Sequence, residues 1–206
     1  MQDYQDPPPA LLSRIARWVL VTFYRLRGWK AIGEAPADRR CVIIAVPHTS
    51  NWDFVNLLGL LADLDLKAHF MAKTSLFRWP LRRFMFDMGG VMIDRASKGN
   101  YVQAMVDEFK RRKEFMLVIA PEGTRQAVHQ WRTGFYHIAR EAGVPLVIGM
   151  MDYKKRIGGL GPAIMPTGDY KADMAKIVEF YRSSAPRNPQ WAITDFNVML
   201  GDGKHG

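Results

Sequence analysis

A histidine and an aspartate five positions apart are the first residues in this sequence whose types and spacing could do chemistry. His48 follows an apolar run and a proline, so we expect it on a loop at a sheet edge. Asp53 is then expected in the first turn of the next helix, where the helix dipole favours a negative charge. From there its carboxylate can reach the imidazole and fix the tautomer, which leaves the other ring nitrogen free to take a proton from a substrate hydroxyl. The alternative is a loop histidine and a helix-start aspartate with no joint role, because this spacing also arises by chance.

A second candidate is the stretch Glu122-Gly123-Thr124-Arg125, which directly follows another apolar run. A glycine-containing turn beside an arginine can present backbone N–H groups and a guanidinium to a phosphate. Arg95, which follows a short glycine-led run, is a further cation that could meet the same anion. The alternative is an ordinary turn after a strand, with its charges and the Arg95 side chain in solvent.

Apolar runs and helical periodicities alternate along the chain, which predicts a single α/β domain with a mainly parallel sheet flanked by helices. In such sheets ligands bind beyond the carboxyl ends of the strands, and both candidate motifs follow predicted strands. We therefore expect the two motifs to line one site. Strands are predicted at 41–46, 67–72, 90–93, 115–120, 145–151 and 157–165, and helices at 10–27, 55–64, 98–113, 131–142 and 169–183, with Pro80 breaking the segment 74–88.

The amino-terminal part divides into a flexible lead at residues 1–9, which ends in three prolines, and an amphipathic basic helix at 10–28. Residues 29–206 form the main domain. A basic helix that carries Trp and Phe on one face is typical of an interfacial membrane anchor. The same stripe would serve equally well to pack the helix on the domain, and the segment alone does not separate the two. We expect no secretory signal and no membrane-spanning helix.

The overall charge predicts a polyanionic partner. The chain has 206 residues, a formal net charge of +9 and a pI of about 9.8. An anionic membrane or a phosphate-bearing small molecule is favoured over nucleic acid, because no finger, zipper or ribonucleoprotein pattern is present. The single cysteine, Cys41, precedes an apolar run and is interpreted as a buried structural thiol.

Four blocks in this order resemble the glycerolipid acyltransferase family of the lysophosphatidic-acid type. The H-x4-D block of that family is matched by His48 to Asp53, the glycine-led strand ending in arginine by Gly90 to Arg95, and the E-G-T-R block by Glu122 to Arg125. A proline within an apolar strand matches at Val144 to Val147, and Lys73 resembles the stretch between the first two blocks. The resemblance spans roughly residues 42–151 and makes 29–206 an acyltransferase domain.

The resemblance implies transfer of a fatty acyl group from acyl-CoA or acyl-ACP to the hydroxyl of a lysophospholipid-like acceptor. His48 would be the general base and Asp53 its orienter. Substrate-binding residues would be Lys73, Arg95, Glu122, Gly123, Thr124 and Arg125. No metal, no other cofactor and no covalent acyl-enzyme are implied. The chain is expected to be cytoplasmic and peripheral on the inner face of the cell membrane.

Other functions stay open on the sequence. One is an acyltransferase of the same scaffold for a lipid acceptor without phosphate, and another is a non-catalytic protein that binds lipid or tethers to membrane. A metal-dependent hydrolase is disfavoured, because His69, His129 and His137 lack metalloprotease-like spacing.

Overall fold

The computed structural model describes residues 4–93, 100–125 and 131–181. In these ranges a seven-stranded sheet is flanked by helices on both faces, which confirms the predicted α/β class. The elements are α1 (Leu11–Leu26), β1 (Lys30–Ile32), β2 (Arg40–Val46), α2 (Trp52–Asp63), β3 (His69–Lys73), a 3-10 helix (Thr74–Phe77), α3 (Arg82–Asp87), β4 (Gly90–Ile93), α4 (Asn100–Arg111), β5 (Phe115–Ile119), α5 (Gly134–Ala142), β6 (Leu146–Asp152), β7 (Ile157–Ile164) and α6 (Tyr170–Tyr181).

The strand order is β1-β7-β6-β2-β5-β3-β4. The five strands from β6 to β4 are parallel to one another, and β7 runs antiparallel to β6. The sheet is therefore mainly parallel, as the alternation of elements predicts. The sequence analysis missed β1, because three residues that pair only with β7 give no periodic pattern.

The central strands are buried on both faces, which explains why β2 and β5 read as continuous apolar runs instead of alternating ones. In β2, Val42 and Ile44 join a large cluster with α4, α5 and α6 on one face. Cys41 and Ile43 point to the other face, into a smaller cluster with α2. Cys41 is fully buried, and this burial raises the pKa of its thiol to about 12, as expected for a structural cysteine.

The helix α1 lies outside α2 and forms an additional layer on that face. It contacts both α2 and α3, and its inner side carries Tyr24, whose ring rests on Gly59 so closely that a Cβ there would lie 2.2 Å from it. Val21 packs with Leu58 in the same interface. A narrow inner side thus makes much of the contact that holds α1, and most of its wider apolar stripe stays exposed.

The residues before α1 have no regular secondary structure, but they make specific contacts. Asp6 pairs with His69 at 2.7 Å and with Arg112 at 2.9 Å. Both partners stabilise the ionised carboxylate, so the pKa of Asp6 falls to about 2. These contacts lie around the start of β3, at the edge of the sheet opposite to the one described next.

Candidate active site

The carboxyl ends of β5, β2 and β6 lie side by side and form what we call the carboxyl edge. The register places Ile44 beside Ile119 on one side and beside Ile148 on the other. The loops that leave these strands are therefore neighbours in space, although they are up to about a hundred residues apart in sequence. This topology brings together the two motifs that the sequence predicted to share a site.

The carboxylate of Asp53 lies directly behind the imidazole of His48. His48 Nδ1 is 3.0 Å from Asp53 Oδ2. The same oxygen accepts the backbone N–H groups of Thr49 at 3.0 Å and Ser50 at 2.9 Å. The loop between the two residues is thus folded around the carboxylate, which holds it in one orientation.

This contact determines which nitrogen of His48 carries the proton. An ionised carboxylate only accepts hydrogen bonds, so Nδ1 must donate to it, and Nε2 is left as the basic nitrogen. The His48 side chain is 24% exposed and that of Asp53 is 7% exposed. Asp53 also lies in the first turn of α2, where the helix dipole stabilises its charge. The geometry required for the predicted pair is therefore present.

Glu122 reaches the same loop from β5. Its Oε2 accepts the backbone N–H of His48 at 2.6 Å, and the residue is only 4% exposed. Burial, with a smaller contribution from the charge of Asp53, raises the pKa of Glu122 to about 7. This carboxyl group holds the backbone at His48. Its predicted contact with a phosphate stays a prediction.

Tyr153 is a residue of the site that the sequence analysis missed. Its hydroxyl donates a hydrogen bond to Oδ1 of Asp53, the oxygen that does not face His48. Its ring packs edge-on against Trp29, with centroids 4.9 Å apart. Its position two residues after the predicted strand at 145–151 was a signal, because residues there reach the carboxyl edge.

An apolar cavity of about 170 Å³ opens beside His48. It runs between the sheet and α2, and His48, Asp53 and Arg125 line it together with apolar residues. Six elements contribute to the apolar lining: Ile43, Ala45 and Val46 of β2, Phe54, Leu57, Leu60 and Leu61 of α2, Phe70, Met71 and Ala72 of β3, Val118 of β5, Met150 and Met151 of β6, and Leu160 of β7. The cavity joins the imidazole to a space suited to hydrocarbon.

Cationic side chains lie along this edge, beside the cavity. Arg125 lines it, and Lys73 is exposed at the end of β3, on the same edge. Gly123 has a φ of +66°, and Arg132 approaches so closely that its Nε would lie 3.1 Å from a Cβ there. Arg132, which the sequence analysis missed, is thus a further cation beside the Glu122–Arg125 turn. Thr124 in the turn is exposed, and Arg95 lies outside the described residues.

Comparison with known proteins shows which family the chain belongs to. The Acyltransferase family model matches residues 30–149, which is more than half of the chain and contains both motifs. The chain belongs to the Acyltransferase family. The 1-acyl-sn-glycerol-3-phosphate acyltransferase of Haemophilus influenzae is 27% identical over 148 residues, 68% of this chain and 60% of that relative, so the chain spans less than two thirds of its length.

A solved structure shows the same fold for an acyltransferase. The crystal structure of the 1-acyl-sn-glycerophosphate (LPA) acyltransferase PlsC from Thermotoga maritima superposes with a TM-score of 0.55 at 18% identity. The superposition covers 82% of this chain and 77% of the PlsC chain. At this identity the likeness concerns the fold, and it confirms the predicted architecture.

Proposed function

We propose that this member of the Acyltransferase family transfers a fatty acyl group from a thioester donor, acyl-CoA or acyl-ACP, to the hydroxyl of a 1-acylglycerol-3-phosphate-like acceptor. The observation that carries the proposal is the 3.0 Å contact between His48 Nδ1 and Asp53 Oδ2 at the mouth of an apolar cavity. The family match and the Haemophilus influenzae relative support the reaction class.

In the proposed reaction His48 acts as general base. Its Nε2 takes the proton of the acceptor hydroxyl while the oxygen attacks the thioester carbonyl, and Asp53 stabilises the imidazolium that forms. The C–S bond then breaks, and the imidazolium returns the proton to the sulfur. The products are an ester and a free thiol, and no side chain of the protein is acylated.

The apolar cavity is the proposed binding site for the acyl chain. Its lining comes from α2 and the inner face of the sheet, so a hydrocarbon bound there would be removed from water. The cavity ends beside the imidazole, and a chain that fills it would leave its carbonyl carbon near Nε2. Proximity of this kind supplies a large part of the acceleration of a reaction between two substrates.

The cations at the mouth are the proposed site for the acceptor's phosphate. Arg125, Lys73 and Arg132 are basic side chains and are exposed. Guanidinium groups bind phosphate through paired hydrogen bonds, whereas the ammonium of Lys73 would act as a point charge. Gly123, Thr124 and Arg95 stay predicted contributors to the same site.

The exposed side of α1 is the proposed attachment to an anionic membrane, on the cytoplasmic face. Leu12 is 80% exposed, Trp18 68% and Leu26 81%. At about 100° per residue these side chains fall within one arc of the helix, and arginines flank it. Such a helix lies in the plane of the interface. The described part of the chain contains no helix long and apolar enough to cross a bilayer.

The reaction is tested by His48→Ala in an assay of thiol release from acyl-CoA with 1-acylglycerol-3-phosphate. Turnover should fall by about two to four orders of magnitude, because the base is lost, while thermal unfolding stays that of a folded protein. His69→Ala is the matched control, because it breaks another histidine–aspartate pair, 2.7 Å apart, at the opposite edge of the sheet. It should leave turnover unchanged.

Near-normal turnover in His48→Ala would overturn the mechanism. Equal losses in both variants would show that the effect comes from altered folding. Arg125→Ala extends the test to the acceptor, because it should raise the KM for the phosphate-bearing acceptor while leaving the KM for acyl-CoA unchanged. If neither constant moves, Arg125 does not bind the phosphate of this acceptor.

A further inference from the structure

The segment 74–81, which connects β3 to α3 and which we call the Trp79 loop, projects apolar side chains into solvent. Trp79 is 92% exposed, Leu81 50% and Leu76 40%. Such side chains usually fill a core, and so large an exposed tryptophan marks an interaction site when it is grouped with other apolar residues. Trp is also enriched where proteins meet the interface of a membrane.

The charges in this loop and directly beside it are all positive. Lys73, Arg78, Arg82 and Arg83 lie within eleven residues, and the sequence contains no acid from 73 to 86. Only Arg83 of these four forms an ion pair that the structure shows, with Asp87 at 2.9 Å. The exposed tip is therefore apolar and its flanks are cationic, which complements the headgroups of an anionic bilayer.

The position of the loop relates it to both the cavity and α1. The loop follows β3 at the carboxyl edge, and Met71 and Ala72 near the end of that strand line the cavity. It leads into α3, which packs against α1. The backbone N–H of Ala10, which precedes α1, also donates to Asp87 at 3.1 Å. The loop is thus connected to the exposed helix through α3, which α1 contacts directly.

We propose that the Trp79 loop is a second contact with an anionic bilayer, which places the mouth of the acyl cavity at the lipid surface. The inference deepens the proposed function, since it rests on the membrane attachment proposed for α1. An acidic protein donor such as acyl-ACP would also meet the arginines. Contact with a donor protein would explain the arginines but not the apolar tip, which is almost fully exposed. The bilayer is therefore favoured.

The test is co-sedimentation with phosphatidylcholine vesicles that contain or lack phosphatidylglycerol. Trp79→Ala should weaken binding roughly tenfold, because no large indole ring is then transferred from water into the bilayer. Arg78→Gln with Arg82→Gln should weaken it roughly 30-fold, and only to the anionic vesicles. Met165→Ala is the control: its side chain is 55% exposed at the opposite edge of the sheet, and binding should not change.

A variant of α1, Leu12→Gln with Trp18→Gln, separates this inference from the proposed attachment. If it loses binding while the loop variants bind normally, the loop is no membrane contact and the inference is wrong. If it binds as well as the unaltered protein, the attachment by α1 fails instead. Normal vesicle binding by the loop variants with a raised KM for acyl-ACP would assign the loop to the donor protein and overturn the inference.

A second observation, independent of the membrane face, concerns Tyr153. Asp53 Oδ2 is occupied by His48 and two backbone N–H groups, whereas Oδ1 accepts the Tyr153 hydroxyl. The ring of Tyr153 is held by Trp29, which packs in turn against Tyr24 of α1, with centroids 6.1 Å apart. A chain of aromatic contacts therefore supports the side of the carboxylate that faces away from the imidazole.

We infer that Tyr153 is a positioning residue, which acts through Asp53 to keep Oδ2 directed at His48. The inference rests on the proposed roles of His48 and Asp53. Tyr153→Phe keeps the ring and removes only the hydrogen bond, so kcat should fall about 10- to 100-fold, as expected for a bond to a charged group, while both KM values stay unchanged. Because Tyr153 acts through Asp53, Tyr153→Phe should cause no further loss of kcat in a protein that already carries Asp53→Asn.

Tyr136→Phe is the matched control, because it removes another tyrosine–aspartate hydrogen bond, to Asp173 at 2.8 Å, away from the site. It should lower thermal stability without changing kcat. Normal kcat in Tyr153→Phe, or effects that multiply with those of Asp53→Asn, would refute the inference. If Asp53→Asn itself keeps full activity, the proposed mechanism fails and not only the role of Tyr153.

Discussion

Replacing Glu122 with glutamine should stabilise the folded chain above neutral pH and leave its stability in mild acid almost unchanged. The carboxyl group of Glu122 is buried and accepts the backbone N–H of His48 at 2.6 Å. Glutamine has nearly the same shape, and its amide oxygen can accept the same hydrogen bond. The substitution therefore removes the charge and little else.

The size of the effect follows from the pKa. Burial moves the pKa of Glu122 from 4.5 to about 7 in the folded chain. Between these values the unfolded chain loses the proton while the folded chain keeps it, so the free energy of unfolding falls as pH rises through this window. Above about pH 7 the whole cost is present, and it amounts to about 3 kcal/mol. Glu122→Gln should recover that amount.

The assay is urea unfolding of both proteins at about pH 5 and at about pH 8, with the free energy extrapolated to water. The variant should be more stable by about 3 kcal/mol at the higher pH and by less than about 1 kcal/mol at the lower one. Glu141→Gln, at an exposed position on α5, is the control and should change stability by less than about 0.5 kcal/mol at both values.

Two results would refute the reasoning. An equal gain at both pH values would mean that the benefit of glutamine does not come from the removed charge. A loss of stability at the higher pH would mean that the ionised carboxylate is stabilised by a partner that outweighs its burial. Either way, Glu122 would not be the source of a falling free energy of unfolding between acid and neutral pH.

Further predictions concern the packing of α1 and the cysteine. Gly59→Ala should lower the free energy of unfolding by about 1–3 kcal/mol, measured in urea, because its Cβ would lie 2.2 Å from the Tyr24 ring; an unaltered value would show that α1 shifts at no cost. Cys41 should not react with a thiol reagent at neutral pH until the chain unfolds, because the thiol is buried and its pKa is about 12. Reaction at the rate of a free thiol in the folded protein would contradict its burial.

Local sequence patterns predicted most of the elements correctly. The apolar run at 41–46 forms β2, which begins one residue earlier, and the helix at 131–142 ends at Gly143 in a left-handed conformation, as a terminal glycine predicts. The predicted break at Pro80 separates a 3-10 helix from α3. These features depend on neighbouring residues, so the sequence around each of them is sufficient to predict it.

Contacts between segments that lie far apart in the sequence were harder to predict. Tyr153 lies a hundred positions from Asp53, and its place after a strand indicates the edge it reaches but not the residue it contacts there. The pairing follows from the order of β6 and β2 in the sheet, which no local pattern encodes. Trp52 is a similar case: its ring stacks on Phe23 of α1, with centroids 5.4 Å apart, and thereby links the start of α2 to the amino-terminal helix.

The sequence by itself determined that this protein has a buried α/β sheet, a histidine–aspartate pair after one strand and a glycine–arginine turn after another, because periodicity and short motifs are properties of adjacent residues. Only the tertiary structure decided which strands are neighbours, and therefore that His48, Glu122 and Tyr153 share one edge beside an apolar cavity. It also decided that α1 packs through its narrow side and exposes its apolar stripe. The strand order and the packing of α1 both depend on how surfaces far apart in the sequence fit together. The composition of each surface alone does not determine that fit.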